Sequence, residues 1–264
     1  MSADGKWAII TGASSGIGKA LALEFAAAGF NVVLTGRNED ALVRVASECS
    51  GRSGVQTEVI VAELARAEST DQLIARLTAQ ARRYEILVNN AGFGINGTFA
   101  DTDIGSEIDL LNVQLAAALK LTKAILPGMI ARRSGRILNV GSVYCYAPVP
   151  FQSVYSACKA FLLSFSAAIR NELEGSGVTV TVFCPGITQT EFRARAGIAE
   201  KNQSSGMTAA AAARIAFEET MRGKAVVIPG VENRLFVVLA KLLPSGSFTG
   251  IIRYINRKRG HKNE

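Results

Sequence analysis

Short apolar runs alternate along the chain with longer segments whose apolar positions recur every three or four residues. The short runs are continuous rather than alternating, which is typical of parallel strands that are covered on both faces. The longer segments have the spacing of helices that bury one side. Strands are expected at Trp7–Thr11, Asn31–Thr35, Gln56–Ala62, Ile86–Asn89, Arg136–Gly141, Val178–Phe183 and Ala225–Ile228. Helices are expected near 16–28, 38–50, 69–83, 105–131, 153–174 and 208–222.

This alternation predicts right-handed βαβ units around one parallel sheet, that is, a doubly wound α/β fold of the Rossmann type. The pattern continues to residue 228 without a linker, so we expect a single domain. Residues 1–230 would form its body, and residues 231–264 would form a C-terminal helical extension of the same domain.

The extension contains two apolar helical patterns, 235–243 and 248–255, followed by a basic tail. Neither is long enough to span a bilayer, and no other stretch reaches the length of about 20 apolar residues that a span needs. The extension could pack on the body, or it could lie in the interface of an anionic membrane. We favour packing, because soluble chains bury such stripes.

Charge and composition exclude several classes of protein. The chain has 264 residues and a net charge of +7, of which +4 lies in the last dozen residues, so nucleic-acid binding is not expected. His261 is the only histidine, which argues against Ser-His-Asp catalysis and against metal sites. The four cysteines form no CxxC pair, and no signal-peptide pattern is visible, so we expect a cytoplasmic protein without disulfides.

A glycine-rich turn follows the first strand and opens the first helix, which is the context of a dinucleotide site. Gly12 would permit the tight turn, Gly16 would let backbone N–H groups approach a pyrophosphate, and Gly18 would let the helix pack closely on the strand. The N-terminus of that helix would face the phosphates. Its full sequence is Thr11, Gly12, Ala13, Ser14, Ser15, Gly16, Ile17 and Gly18.

The end of the second strand indicates which cofactor binds. An NAD site carries an acidic residue there for the ribose hydroxyls. This chain has Gly36 followed by Arg37, which can bind phosphate oxygens in a bidentate manner. The sequence therefore favours NADP(H).

Tyr155 and Lys159 lie four residues apart in a helical pattern and so share one face. An ammonium beside a phenol lowers the phenol's pKa, which suits it to exchange a proton with a carbonyl or alcohol oxygen. Ser142, just past the fifth strand, could hydrogen-bond the same oxygen.

Together these motifs resemble the short-chain dehydrogenase/reductase family over residues 6 to about 228. The match rests on TGxxxGxG, an Asn-Asn-Ala-Gly turn, an asparagine within a helix, a serine at a strand end, YxxxK, and Pro-Gly followed by threonine. In this chain the elements after the glycine turn are Asn89, Asn90, Ala91, Gly92, Asn112, Ser142, Tyr155, Lys159, Pro185, Gly186 and Thr190.

The resemblance implies a role for each catalytic residue. Tyr155 would be the general acid/base, and Lys159 would lower its pKa and hold the nicotinamide ribose. Ser142 would position the substrate oxygen, and Asn112 would anchor a water molecule in a proton relay behind Lys159.

It also implies how the cofactor is held. Asn89 and Asn90 would stabilise the sheet and border the cofactor, together with Ala91 and Gly92. The residues after Pro185 and Gly186 would contact the carboxamide, namely Ile187, Thr188 and Thr190. Glu63, followed by Leu64, stands where the family usually has an aspartate near the adenine.

The expected activity is hydride transfer between NADP(H) and a carbonyl or secondary alcohol. A dinucleotide-sensing protein without turnover is the alternative, but it would not need a proton relay. A nucleotide-sugar epimerase is also disfavoured, because the larger C-terminal region is absent. Substrate loops are expected at Val143–Gln152 and Glu191–Gly206, with Phe93, Phe99, Phe151 and Phe192 as apolar candidates.

Assembly into a homodimer or homotetramer is expected from one helix face. Opposite Tyr155 and Lys159 lies a stripe of small residues that would let another helix approach closely. Its members are Ser153, Ala157, Ala160, Ser164 and Ala168. The family resemblance implies that this helix and the 105–131 helix of two subunits form a four-helix contact.

Overall fold

The computed structural model describes residues 5–197 and 206–258, except for the side chains of Arg193 and Lys258. Seven strands form a fully parallel sheet in the order β3-β2-β1-β4-β5-β6-β9. Their bounds are β1 Lys6–Thr11, β2 Asn31–Gly36, β3 Thr57–Val61, β4 Arg83–Asn89, β5 Gly135–Val140, β6 Val178–Phe183 and β9 Val226–Val227. The predicted α/β class is confirmed.

Ten helices connect or follow these strands in the described residues. They are α1 Gly16–Ala27, α2 Glu39–Ser53, α3 Ala67–Thr78, α4 Ile104–Leu111, α5 Ala117–Ala131, α6 Ser153–Glu172, α7 Phe192–Arg195, α8 Ala209–Met221, α9 Val231–Leu242 and α10 Ser245–Lys258. The sequence did not predict a small parallel pair beside the sheet, β7 Thr188–Gln189 with β8 Met207–Thr208.

Helices cover both faces of the sheet, and alternate residues of one strand show this. In β1, Ile10 packs into a core cluster that also contains Phe25 of α1. Its neighbour Ile9 points to the other face, where Leu121 and Met129 of α5 lie. All five of these side chains are essentially buried. The strands are therefore apolar at consecutive positions because each face meets a different helix layer.

The third helix ends earlier than its predicted end at 83. It stops at Thr78, because the basic residues that follow are held by neighbouring strands. Arg82 stacks on the Trp7 ring, 3.8 Å from the ring centroid, and also pairs with Glu58 of β3. Arg83 already begins β4.

The predicted 105–131 helix runs from Ile104 to Ala131 but contains a π-helical turn at Asn112–Ala116. By length and composition alone this helix could cross a membrane, so the expectation that no segment would qualify is wrong. Its buried side packs against β4 and β5 as a core helix of the fold.

The C-terminal helices pack on the body through one side. Phe236 of α9 contacts Phe248 of α10, with ring centroids 5.3 Å apart. Phe248 and Ile252 form a small cluster with Ala147 and Val149 of the loop after β5. The favoured prediction of packing on the body is confirmed for this side of the two helices.

Candidate active site

The glycine turn forms the floor of a cleft beyond the carboxyl ends of the central strands. Gly12 and Gly16 both have positive φ, +65° and +56°, which favours glycine. A Cβ on Gly18 would lie 2.2 Å from the Gly12 carbonyl oxygen, so only glycine lets α1 begin here. The Asn90 amide donates to the carbonyl oxygens of Thr11 (2.8 Å) and Gly12 (3.3 Å) and thereby fixes the turn.

The first turn of α1 is suited to an anion. It contains no acidic residue, and the side chain of its N-cap residue Ser15 makes no capping hydrogen bond. The N-terminal amides of α1 therefore remain available to a ligand in the cleft. This backbone cradle fits the pyrophosphate of a dinucleotide.

The far end of the cleft carries two basic side chains and one acidic side chain. Arg37 is 66% exposed and lies 3.5 Å from a carboxylate oxygen of Glu63. Arg66 also lines this end, and sequence reasoning missed it. The signal was available, since Arg66 follows Glu63 and Leu64 by only two to three positions in the loop between β3 and α3.

At the opposite end, Ser142, Tyr155 and Lys159 meet. Ser142 caps a 3₁₀ turn, Val143–Tyr146, and its Oγ accepts a hydrogen bond from the Tyr144 N–H at 3.2 Å. Lys159 Nζ lies 5.4 Å from the centroid of the Tyr155 ring and donates to the Val140 carbonyl oxygen at 2.8 Å. These three side chains are almost fully buried yet line the cleft.

Burial dominates the electrostatics of this end. Burial raises the pKa of Tyr155, the nearby Cys145 raises it further, and a hydrogen bond with Ser142 only partly opposes this. Burial also lowers the pKa of Lys159 to about 8. The expected lowering of the Tyr155 pKa is therefore not met in this structure, because burial of the phenol raises it. The phenol is held protonated, which is the form that donates a proton.

A buried amide network attaches α6, which carries Tyr155 and Lys159, to the sheet. Asn89 Nδ2 donates to Asn139 Oδ1 at 2.8 Å, and Asn139 Nδ2 donates to Ser166 Oγ of α6 at 2.7 Å. Asn89 was predicted to border the cofactor, but its side chain turns away from the cleft into this network. This network fits the sheet-stabilising role that was also predicted for Asn89, and Asn139, to which no role was assigned from the sequence, shares that task.

Asn112 lies in the π-helical turn but does not line the cleft. Its side-chain amide donates to the Ala65 carbonyl oxygen at 3.1 Å. Behind Lys159 there is instead a small cavity of about 10 Å³, lined by Asn89 and Gln114 among others, with room for about one water molecule. The implied role of Asn112 in a relay stays a prediction.

The main cleft has a volume of about 560 Å³. The residues of the predicted site that line it are Gly12, Ser14, Ser15, Gly16, Ile17, Gly18, Arg37, Glu63, Leu64, Asn90, Ala91, Gly92, Ser142, Tyr155, Lys159, Gly186, Ile187, Thr188 and Thr190. Pro185 is buried beside it, with its carbonyl accepting from the Val143 N–H at 3.0 Å, so it shapes the turn without lining the cleft.

Aromatic side chains line the part of the cleft nearest Tyr155. Phe93 and Phe192 line it, and the Phe192 ring centroid is 5.5 Å from that of Tyr155. Phe99 is exposed instead, and Phe151 does not line the cleft, so only two of the four phenylalanine candidates belong here.

Both predicted substrate loops contribute to the cleft. Val143, Tyr144 and Gln152 come from the first, and Glu191, Phe192 and Arg195 come from the second. Residues 198–205 of the second loop lie outside the described residues.

The C-terminal helices also contribute residues to the cleft, and these were not predicted from the sequence. Asn233 and Phe236 of α9 and Asn256 of α10 line the cleft near its mouth. The Phe236 ring lies 6.3 Å from that of Tyr144, which in turn meets the Tyr155 ring edge-on at 6.3 Å. The apolar spacing of 235–243 was the signal, but it could not show which side would face the cleft.

Residues 6–201 match the family model described as short chain dehydrogenase. The chain belongs to that family. Short chain dehydrogenases of similar sequence include the mouse dehydrogenase/reductase SDR family member 7B, 32% identical over 95% of this chain and 81% of that protein. The very-long-chain 3-oxoacyl-CoA reductase of Aspergillus clavatus is 36% identical over 67% of this chain, which spans about half (52%) of its length.

Among solved structures, a short-chain dehydrogenase from Sphingobium yanoikuyae in complex with NADPH superposes with a TM-score of 0.82. It is 30% identical, and the match covers 98% of each chain. By its family, this chain is therefore an NAD(P)-dependent oxidoreductase of carbonyl or alcohol substrates.

Proposed function

We propose that this protein is an NADP(H)-dependent reductase of bulky, largely apolar ketones, with Tyr155 as its general acid. The observation that carries the proposal is the meeting of Tyr155, Ser142 and Lys159 at one end of a cleft whose other end is basic. The aromatic lining beside Tyr155 favours an apolar substrate, because burying an aromatic or aliphatic group there releases water from both surfaces.

The cofactor preference rests on the end of β2. Gly36 places no carboxylate against a 2′-phosphate, and Arg37 is close enough to the cleft to pair with one. Glu63 lies 3.5 Å from Arg37, and this exposed pair contributes little in solution, so a phosphate dianion can replace the carboxylate as partner. The Sphingobium relative, whose structure contains NADPH, supports the same choice.

In the reaction the bound cofactor supplies the hydride, and the chain supplies the proton and the geometry. The Ser142 hydroxyl and the Tyr155 phenol are within hydrogen-bonding reach of each other and both line the cleft, so both could bind a carbonyl oxygen there. Tyr155 donates its proton as negative charge develops on that oxygen. The adjacent Lys159 ammonium stabilises the phenolate left behind, since opposite charges attract strongly at a site that excludes water. A protein that only senses dinucleotides would have no use for this buried donor set.

Cofactor binding and turnover test this proposal together. NADPH and NADH affinities would be measured by fluorescence titration, and NADPH consumption would be followed against a panel of carbonyl compounds graded by size and polarity. We expect tighter binding of NADPH and the highest turnover with bulky apolar ketones. Equal affinity for the two cofactors, or turnover confined to small polar aldehydes, would contradict the proposal.

Arg37→Ala isolates the phosphate contact. It should weaken NADPH binding by about 10- to 100-fold, the equivalent of about 1.5–3 kcal/mol for a charge-assisted hydrogen bond, and leave NADH binding unchanged. Arg44→Ala on α2 is the matched control, because Arg44 is an exposed arginine that does not line the cleft. An equal effect of the two substitutions would mean that NADPH binding responds to the overall charge of the protein and not to a contact with Arg37.

We also propose that the protein forms a homodimer through α6. The stripe of small residues on this helix is exposed within the single chain, so the alternative of intrachain packing does not cover it. Phe161 and Phe165 stack beside the stripe at 5.8 Å, and Phe161 is partly exposed. In a homodimer, this face of α6 in one subunit would be buried against the same face of α6 in the other subunit.

A further inference from the structure

The last two helices present an apolar face to solvent. In α9 the exposed apolar positions recur every three or four residues and fall within an arc of about 100°, as 3.6 residues per turn requires. Val231 is 78% exposed and Leu242 is 75% exposed. We call the outer face the set of exposed apolar residues on both helices, namely Val231, Leu235, Val238, Leu239, Leu242, Ile251, Tyr254 and Ile255.

This exposure does not come from loose attachment of the helices. On α9 the side opposite the exposed stripe is buried at Val237, and on α10 the buried Phe248 and Ile252 lie beside the exposed Ile251 and Ile255. Both helices are therefore held on the body by buried side chains, while a further part of their apolar surface stays uncovered in the subunit. A contiguous apolar surface of this kind on a soluble protein marks a contact with another body.

Exposed basic residues lie on both helices that carry the outer face. Arg234 and Lys241 lie along one edge of the α9 stripe, and Arg253 and Arg257 are exposed on α10. From residue 231 to residue 264 the sequence has seven basic and two acidic residues, a net charge of +5 out of +7 for the whole chain. The rest of the sequence is therefore close to neutral, and among the described side chains of the two helices four are basic and Glu232 is acidic.

We propose that the outer face docks on a lipid bilayer that contains anionic lipids, with α9 and α10 lying in the plane of the membrane surface. The apolar side chains would enter the boundary between headgroups and acyl chains, and the basic residues would meet the anionic headgroups. A second copy of the chain is a poorer partner. A two-fold contact would set the outer face against itself and bring like charges together, with Glu232 as the one acidic residue among those described there.

The same helices also line the mouth of the cleft. Asn233 and Phe236 of α9 and Asn256 of α10 contribute to it from the sides that face the body. Docking through the outer face would therefore hold the cleft mouth beside the bilayer. A carbonyl compound with a long apolar group could then pass from lipid to cleft without crossing water, and this last step rests on the proposed function.

Cosedimentation of the full-length protein with vesicles tests the docking without any turnover. The vesicles are phosphatidylcholine alone and phosphatidylcholine mixed with phosphatidylglycerol, each at low and high salt. We expect binding to the anionic vesicles only, and release at high salt because surface charge is screened. Binding to neither kind of vesicle, or equal binding to both, would overturn the proposal.

Substitutions assign the binding to the outer face. The double variant Leu235→Glu, Leu242→Glu should lower the partition coefficient on anionic vesicles by about 100-fold, from the loss of two buried leucines. The double variant Arg253→Gln, Arg257→Gln should lower it by about 30-fold. Val43→Glu, at an exposed apolar position on α2, is the matched control and should bind as the unmodified protein does.

Two further measurements separate the alternatives. Sedimentation equilibrium without vesicles would show whether the leucine double variant loses an oligomer that the unmodified protein forms. Such a loss would identify a second copy as the occupant and refute membrane docking. Turnover of a soluble ketone should be the same in both proteins, because Leu235 and Leu242 do not line the cleft. Absence of turnover in both would count against the proposed function and leave the vesicle result standing.

Discussion

Lys159 should destabilise the cofactor-free protein at neutral pH, and this can be tested by removing its charge. The side chain is 5% exposed, and burial lowers its pKa from 10.5 to about 8. The physical reason is that an ammonium loses its hydration when the chain folds around it. Lys159→Met keeps an unbranched side chain of similar length and removes the charge.

The magnitude and its sign follow from proton linkage. Below about pH 8 the lysine is protonated in both the folded and the unfolded chain, and the penalty of burying the charge is fully present. Lowering a pKa from 10.5 to about 8 corresponds to about 3 kcal/mol. Between these two pH values the folded chain has released its proton and the unfolded chain has not, so the penalty decreases as pH rises. Above about pH 10.5 it is gone.

Urea unfolding at pH 7 and at about pH 10.5 measures this directly. Relative to Lys159→Met, the unmodified protein should gain about 3 kcal/mol in the free energy of unfolding between the two pH values. The lost hydrogen bond to the Val140 carbonyl affects the variant at both pH values and therefore largely cancels. Lys123→Met, at an exposed position of α5, is the control and should show no such change. If the difference in the free energy of unfolding between the unmodified protein and Lys159→Met stayed constant with pH, the reasoning would be refuted.

Three further outcomes are expected. Tyr155→Phe should bind NADPH as before while turnover falls by about 10²–10⁴-fold or more, measured by titration and steady-state kinetics, and retained turnover would mean that another group is the acid. Ala160→Arg should weaken dimerisation by about 100-fold in sedimentation equilibrium, because a two-fold contact through α6 would bring the two new arginines together. An unchanged dimer would mean that the interface lies elsewhere. Gly18→Ala should abolish cofactor binding, because its Cβ would overlap the Gly12 carbonyl oxygen. Gly51→Ala, at an open position in α2, should instead raise the free energy of unfolding by about 0.5–1 kcal/mol. Equal behaviour of the two variants would argue against a steric cause.

The sequence was sufficient to predict the sheet, because continuous apolar runs such as β6 require helices on both faces. It also predicted the glycine turn and the meeting of Ser142 with Tyr155, since carboxyl ends of parallel strands share one edge of the sheet. Spacing alone could not show how completely the Tyr155 phenol would be buried. For that reason the direction of the Tyr155 pKa was wrong, although the pairing of residues along the helix was right.

Other parts of the site depend on tertiary placement that no local pattern carries. Gln114 lies within the π-helical turn Asn112–Ala116, which the sequence did not predict, and it lines the cavity behind Lys159. Asn233 and Phe236 reach the cleft only because α9 folds back over the loop after β5. Asn89 was expected both to stabilise the sheet and to border the cofactor, and its hydrogen bond to Asn139 of β5 fits the first of these roles.

The contribution of α9 and α10 to the cleft divides the chain into two regions that can change independently. The family match ends at residue 201, and the hydride-transfer machinery lies before it. The walls of the cleft mouth at Asn233, Phe236 and Asn256 lie after it. Selection on the last sixty or so residues can therefore alter which molecules enter while leaving the chemistry intact. A chimaera that exchanges this segment between two relatives should inherit its substrate range from the segment and its cofactor from the body.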